Sequence, residues 1–354
     1  MRPESRPHIK RVTIEDVSRA AGVSTSTVSR VINGVESRIP IGADTRARVL
    51  GVVGKLGYRP DPLARGLRGS GTALLGVIVR EITDPFFAWV IQELAREAGH
   101  RGYRVVLGPT HSGEDAVPAL SAILETRHCE GIILLGATLS REPAILSELQ
   151  ESGLPLVALC TPPPWPGVFT IRTDNHRGVW LALEHLYGLG HRRIALLGRG
   201  LDDFGQRVEA YREFVARRAL SLPDSYQQPD HDLPGVNQLE FGEIGMRSLL
   251  RLPEKPTAVL AVSDQIALGA LSAIAKLGLR VPGDLSIVGF DDIPLAAHAA
   301  PPLSTVHQPV EEIVRGALDA CMALIQSKQA GRGSSSAIEP VLIVRMSSGP
   351  PRLS

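Results

Sequence analysis

From residue 73 onward the sequence repeats one pattern: a short apolar run, an amphipathic stretch of helical spacing, then another apolar run. ALLGVIV (73–79) is the first run. It is followed by a helix over 85–100, YRVVLG (103–108), a helix over 114–127 and GIILLG (131–136). A helix over 141–151 and PLVALC (155–160) complete one half. The second half repeats the scheme: a helix over 175–189, RIALLG (193–198), helices over 206–219 and 238–251, TAVLAV (257–262), a helix over 264–277 and LSIVGF (285–290). Runs this short and apolar throughout, alternating with helices, predict parallel strands covered on both faces. About ten such units imply two sheets, hence two subdomains. Ligands in such folds sit beyond the carboxyl ends of the strands. A cleft between the subdomains would be lined by both sets of strand ends.

The remaining 72 residues are different in kind. Residues 1–70 carry 13 Lys and Arg against 6 Asp and Glu, a net +7, while the whole chain is only +1, so the rest is acidic. A basic head on an acidic body predicts that the head alone meets a polyanion. The N-terminal MRPESRPHIKRV is basic but has no apolar run behind it, so no secretory signal is expected. No apolar run approaches the roughly 18 residues that span a bilayer. Cys129, Cys160 and Cys321 are odd in number and far apart, which fits neither a disulfide framework nor a zinc site. Reduced, buried thiols of a cytoplasmic protein are expected.

Within the head, TIEDVSRAAGVSTSTVSRVIN (13–33) reads as two short helices around a glycine turn. Thr13 caps the first helix, with Asp16 completing a capping box. Ile14, Val17 and Ala21 form its apolar face. Gly22 allows the tight turn and Val23 plugs it. Ser24 caps the second helix, whose Val28, Val31 and Ile32 face the first. This is a helix-turn-helix unit, and its second helix is the one that enters a major groove. The polar face of that helix carries Thr25, Ser26, Ser29 and Arg30. Arg30 can pair bidentately with guanine. Thr25 and Ser26 lie at the end that points toward base edges. Thr27 and Ser29 suit phosphate contacts, which position without specifying. A third helix over 44–56, with Val49, Val52, Val53 and Leu56 inward, would complete a small core. A short helix over 62–68 is expected next, capped by Asp61 with Pro62 at its first position. It is too short to persist alone in water.

The 13–33 run, ADTRARV (43–49) and LGYRPDPLARGLR (56–68) together resemble the lactose/galactose repressor (LacI/GalR) family. The resemblance implies an all-α helix-turn-helix headpiece followed by an α/β body like the periplasmic binding proteins, with two parallel-sheet subdomains. It implies a headpiece over 1–59 and a hinge over 60–72. The effector-binding and dimerisation domain would then run over 73–354, with subdomain one about 73–172 and 305–336 and subdomain two about 173–304 and 337–347. The chain would cross between subdomains near 172, 304 and 337, with a last strand over 338–345 in the second subdomain. The implied partners are a double-stranded DNA operator, a small-molecule effector and a second copy of the chain. In the hinge, Leu67 would be the minor-groove wedge, Ala64 would let two hinge helices approach, and Arg65 and Arg68 would meet phosphates. Thr13, Ser24, Asn33 and Tyr58 complete the implied DNA-contacting set. Two departures stand out: the 33–45 linker is longer than usual, and Asp61 stands where the family has Asn.

Strand ends supply the candidate effector residues. Phe86 and Phe87 follow the first strand, and an aromatic face suits a sugar or a base, although two core phenylalanines fit equally. Asp174 could accept sugar hydroxyls or simply cap the next helix. Arg207 falls where the family has its ligand-reading arginine. Asp291, in VGFDD, matches the family's ligand-binding aspartate. Ser263 and Asp264 follow TAVLAV, with Ser263 where Asn is usual. Trp165 could cover the cleft or pack on the surface. Carboxylates and hydroxyls with one Arg favour a neutral carbohydrate effector.

Enzymatic motifs are lacking. Gly198-Arg199-Gly200 follows a strand, but Asp203 occupies the third glycine position of a dinucleotide loop. There is no P-loop, nucleophile elbow or zinc-binding histidine pair. Neither a cofactor, a metal nor a membrane contact is expected. The two alternatives to a regulator are an exported solute-binding protein, which would share the body but not the basic head, and an α/β enzyme.

Overall fold

The computed structural model describes residues 12–33, 40–58, 72–79, 81–109, 129–136, 149–160, 167–198, 204–228, 233, 235–327 and 333–352. Ala64, Arg65, Leu67 and Arg68 of the hinge lie outside these residues, as do Trp165 and Asp203. The expected helix over 114–127 and most of that over 141–151 also lie outside them. The chain divides into two units, Met1–Thr72 and Ala73–Ser354.

In the first unit, helix α1 spans Ile14–Ala21, α2 Thr25–Asn33 and α3 Ala43–Leu56. The capping box at the start of α1 is formed: Asp16 N donates to Thr13 Oγ1 at 3.3 Å and Thr13 N to Asp16 Oδ2 at 2.9 Å. Gly22 ends α1 at φ 64°, a conformation open to glycine at no steric cost. The Ser18 hydroxyl then donates to Val23 O at 2.7 Å and ties the turn back to α1. Val17, Ala21, Val28, Val31 and Val49 are the buried core, with Ile14, Ile32, Val52, Val53 and Tyr58 around it. Leu56 was expected inside but is 39% exposed. Helix α3 is longer than the two helices it packs on, so its last turn overshoots them. Gly57, at φ 62°, reverses the chain, and Tyr58 joins that core instead.

The second unit contains, among the described residues, two six-stranded sheets. Sheet one comprises β1 (Leu74–Val79), β2 (Arg104–Pro109), β3 (Gly131–Leu135), β4 (Leu156–Leu159), β5 (Phe169–Thr173) and β11 (Ser335–Ile338). Its order is β11-β5-β4-β3-β1-β2, with every pairing parallel. Sheet two comprises β6 (Ile194–Leu197), β7 (Gln227–Gln228), β8 (Ala258–Ala261), β9 (Ser286–Asp291), β10 (Ser304–His307) and β12 (Val341–Ile343). Its order is β12-β10-β9-β8-β6-β7, and β12 alone runs antiparallel to its neighbour.

Burial follows the pleat. In β3, Ile133 and Leu135 enter one cluster while Ile132 and Leu134 enter the other. Both faces of sheet one are therefore apolar, as the uninterrupted runs required. The helices are α4 (Pro85–His100), α5 (Asn175–Gly188), α6 (Gly205–Arg217), α7 (Gln238–Leu250), α8 (Asp264–Lys276), α9 (Pro294–Ala297) and α10 (Val310–Ser327). Helix α10 packs on α4, β3, β4 and β5, so it belongs to sheet one's subdomain, while α5 packs on α6, β10 and β12 in the other.

The chain passes between subdomains after β5, after β10 and after β11. Two of these crossings differ from expectation. Residues 304–307 were placed at the crossing itself but form a strand of sheet two, with Ser304 and Thr305 fully buried. The stretch over 338–345 was read as one strand of the second subdomain. It is two elements: β11 pairs with β5 in sheet one, and β12 pairs with β10 in sheet two, with Glu339-Pro340 between them. A proline cannot donate to a ladder, so the run is interrupted there.

Candidate functional site

The headpiece carries its candidate contacts on α2. Ser24 and Ser26 are exposed, and Thr25, Thr27, Ser29 and Arg30 are half-buried. Ser24 is largely a cap: its Oγ accepts from Thr27 N at 3.2 Å and lies 2.8 Å from Ser26 Oγ and 2.9 Å from Thr27 Oγ1. Asn33 closes α2. Thr13 holds the start of α1 through its capping box, and Tyr58 packs against the headpiece core.

In the body, a cavity opens between the two sheets' strand ends. Sheet one's side contributes Asp84, Phe86 and Phe87 from the start of α4, Cys160 after β4, and Arg172 and Thr173 from the end of β5. The other side contributes Phe204 and Arg207 around the start of α6, Gln238 from α7, Ser263 and Asp291. Asn175 and Gln308, beside two of the crossings, complete the lining. Gly136, at φ 60°, leaves the space that the Phe87 ring occupies; a Cβ there would collide with the ring.

Arg207 and Asp291 form the floor. The Arg207 guanidinium lies over the Phe290 ring at 3.6 Å from its centroid. Its Nε donates to Asn175 Oδ1 at 2.9 Å, and its Nη1 donates to Val262 O and stands 3.4 Å from Asp291 Oδ1. Gln308 Nε2 donates to Asp291 Oδ1 at 2.7 Å. Asp291 has φ 123°, in the region that favours glycine, a strain that such sites store. Burial pushes its carboxyl up to about 7, against the opposing pull of Arg207.

Two candidates stand elsewhere. Asp264 does not line the cavity. It is fully buried, accepts from Ile293 N at 2.9 Å and Thr305 Oγ1 at 2.5 Å, and so ties the β9–α9 turn and β10 to α8. Burial and the neighbouring Asp291 raise its pKa well above the carboxylate range. Asp174 caps α5, accepting from Arg177 N at 2.9 Å, and is also absent from the lining. Its bland alternative is the one the structure displays.

Several lining residues were not anticipated from the sequence. Asp84 accepts from Phe86 N at 2.9 Å as the cap of α4 and from Gln238 Nε2 at 2.8 Å. The Ser263 hydroxyl donates to Gln238 Oε1 at 2.6 Å. Asp84, Gln238 and Ser263 thus form a polar link across the cleft. Thr173 Oγ1 donates to Gln308 Oε1 at 2.6 Å, joining the first and second crossings. The D-P start of α4 was a legible capping signal; Arg172, Gln238 and Gln308 had none.

Next to the second crossing, Asp292 holds His307 Nδ1 at 3.0 Å and Arg345 Nη2 at 2.6 Å. Burial opposes ionisation of Asp292, but these two partners outweigh it and hold its pKa below the ordinary value. The same hydrogen bond raises His307. Among the described residues, no group of three or more His, Cys, Asp and Glu could hold a metal ion. Among them too, no helix is long and apolar enough to cross a membrane. Cys129, Cys160 and Cys321 form no disulfide; Cys129 and Cys321 are buried and Cys160 half-buried.

Comparison with known proteins finds a match for each of the two units of the chain. Residues 13–61 match the bacterial regulatory proteins, lacI family, and residues 183–348 match the periplasmic binding protein-like domain. The chain is 34% identical over 326 residues to the HTH-type transcriptional repressor CytR of Escherichia coli (strain K12), covering 91% of this chain and 92% of that protein. Its structure is similar to that of the Lac repressor dimer bound to operator and the anti-inducer ONPF, with TM-score 0.80 and 28% identity over 96% of this chain and all of that one. It is also similar to the transcriptional regulator CelR–cellobiose complex, with TM-score 0.69 and 30% identity over 95% of this chain and 100% of that one. The chain belongs to the LacI family of bacterial regulatory proteins and is a ligand-responsive, DNA-binding transcription regulator.

Proposed function

We propose that this regulator is a repressor that binds a pseudo-palindromic operator as a homodimer, and that a sugar-like effector in the cleft alters its affinity for that operator. The headpiece is taken as residues 1–59, the hinge as 60–72 and the effector domain as 73–354. Thr25, Ser26 and Arg30 read base edges from α2; Thr27, Ser29, Thr13, Asn33 and Tyr58 position the headpiece on phosphates. Ala64, Arg65, Leu67 and Arg68 serve the hinge, with Leu67 as the minor-groove wedge. Phe86 and Phe87 offer faces to the effector's apolar side, while Asp291, Arg207 and Ser263 meet its hydroxyls. No catalytic step is assigned, and the protein works in the cytoplasm, where its DNA is.

One observation carries this reading: the Asp291–Arg207 floor lies in a cavity whose walls come from both sheets, beside two of the crossings. A ligand touching both walls binds a closed arrangement better than an open one. That differential affinity is what moves a two-state protein. The Lac repressor dimer bound to operator and the CelR–cellobiose complex support the two halves of the reading.

Isothermal titration of the full chain with neutral sugars, paired with a gel shift on genomic fragments, tests it. The expected result is saturable binding by at least one sugar together with altered affinity for one fragment. Binding of sugars with no effect on any protein–DNA complex would reject the coupling.

A further inference from the structure

We infer that the effector carries a carboxylate, held by Arg172 at the wall of the cleft; this rests on the cleft being the effector site. Arg172 sits next to last in β5, beside the first crossing, and lines the same cavity as Asp291. Its surroundings differ from those of Arg207, whose guanidinium has a carboxylate, an amide oxygen, a backbone carbonyl and an aromatic face. Arg172 has one acceptor, the carbonyl of Thr173, at 3.3 Å from Nη1. Its Nε is buried without a hydrogen-bond partner. Among the described residues no carboxylate lies within ion-pair distance of it. Asp174, two residues on, turns its carboxylate to the start of α5. Burial accordingly lowers the Arg172 pKa, with Asp174 opposing only through space.

A guanidinium presents five N–H groups in a fixed fork that matches a carboxylate or a phosphate. Leaving such a group desolvated and unpaired is costly, and native proteins rarely do so without a function for it. An oxyanion of the ligand supplies the missing acceptors. The rest of the cleft favours a monoanion over a phosphate dianion. A dianion is commonly held by free amides at a helix start. Of the helices that begin at this cavity, α4, α5, α7 and α8 are capped by Asp84, Asp174, Asn237 and Ser263, whereas α6, after Phe204, has no side-chain cap. Two of those caps are themselves carboxylates and oppose a second negative charge. Asp291, Asn175 and Gln308 remain for hydroxyls. The fitting class is a sugar acid, an aldonate or uronate.

The test is calorimetric titration of the full-length protein with D-glucuronate, D-galacturonate and D-gluconate. D-glucose and D-galactose serve as neutral counterparts and glucose 6-phosphate as the dianion. At least one acid is expected to bind about tenfold or more tighter than its neutral counterpart, the scale of one charge-assisted pair. In Arg172→Gln the acid-to-neutral affinity ratio falls to about one, the charge-assisted pair being gone. Arg172→Lys, which keeps the charge and loses the fork, retains part of it. Without ligand, Arg172→Gln melts no lower than wild type, because no ion pair is lost; a structural role would lower it. A neutral sugar or the phosphate ester binding best, or an undiminished ratio in Arg172→Gln, overturns the inference. Neutral binding without acid preference leaves the cleft reading standing. Failure of both classes sinks that reading as well.

Discussion

Replacing Asp291 by Asn should stabilise the ligand-free protein at alkaline pH and leave it unaltered in acid. The carboxyl is 7% exposed, and burial raises its pKa to about 7 in the folded chain. The same group titrates near ~3.9 when unfolded. Below both values it is protonated in both states and contributes no difference. As pH rises, the unfolded chain releases the proton first, so the folded state holds more protons and stability falls. The fall ends once pH passes about 7, where the folded carboxyl also ionises. Three units at ~1.4 kcal/mol each make about 4 kcal/mol, an upper bound for a site coupled to Asp264. Asparagine has no proton to lose, and its Oδ1 can still accept from Gln308 and Arg207. For a unit of this size, 4 kcal/mol is up to about 8 °C in Tm. Thermal melts of both proteins at closely spaced pH values should diverge from about pH 4 upward, with the variant higher. If Asp291→Asn melts below wild type at pH 8, the pair with Arg207 outweighs burial and the reasoning fails.

Other substitutions test other joints of the account. Arg30→Ala should cost operator affinity about 1–3 kcal/mol while affecting nonspecific DNA far less in competition gel shifts; equal losses would make Arg30 a phosphate or packing residue. Gly22→Val places a β-branched residue at φ 64° and should lower headpiece stability by at least ~1–2 kcal/mol, with operator binding lost before the body melts. Gln238→Ala removes the link from Asp84 to Ser263. Hydrogen exchange should rise at the starts of α4 and α8 with a Tm loss worth ~1–3 kcal/mol, and unchanged protection would deny the link a role.

Much of the body was readable because its strands are buried on both faces and so have to be apolar throughout. GIILLG and TAVLAV each carry that requirement in every residue. β10 was missed because STVH satisfies its burial by hydrogen bonding: Ser304 Oγ accepts from Arg345 N at 2.9 Å, and Thr305 donates to Asp264. The division of 338–345 between two sheets is a tertiary choice that a continuous apolar run conceals. At the site, Asp291 and Arg207 lie at strand and helix ends and could be named. Asp264 could not be told from a ligand-binding group, since its partners Ile293 N and Thr305 lie 29 and 41 residues away. Arg172 escaped notice because its significance lies in the partners it lacks, which sequence does not record.

A quantitative gel shift of the purified full-length chain against its own genome's fragments, repeated with and without a cleft-binding sugar acid, bears most directly on the whole account. It should reveal a duplex of twofold-related half-sites that resists excess random DNA, and whose affinity changes about tenfold or more when the acid is added, through the differential affinity of ligand for two states. A duplex chosen equally well at every ligand concentration, although titration shows the cleft filled, would contradict it.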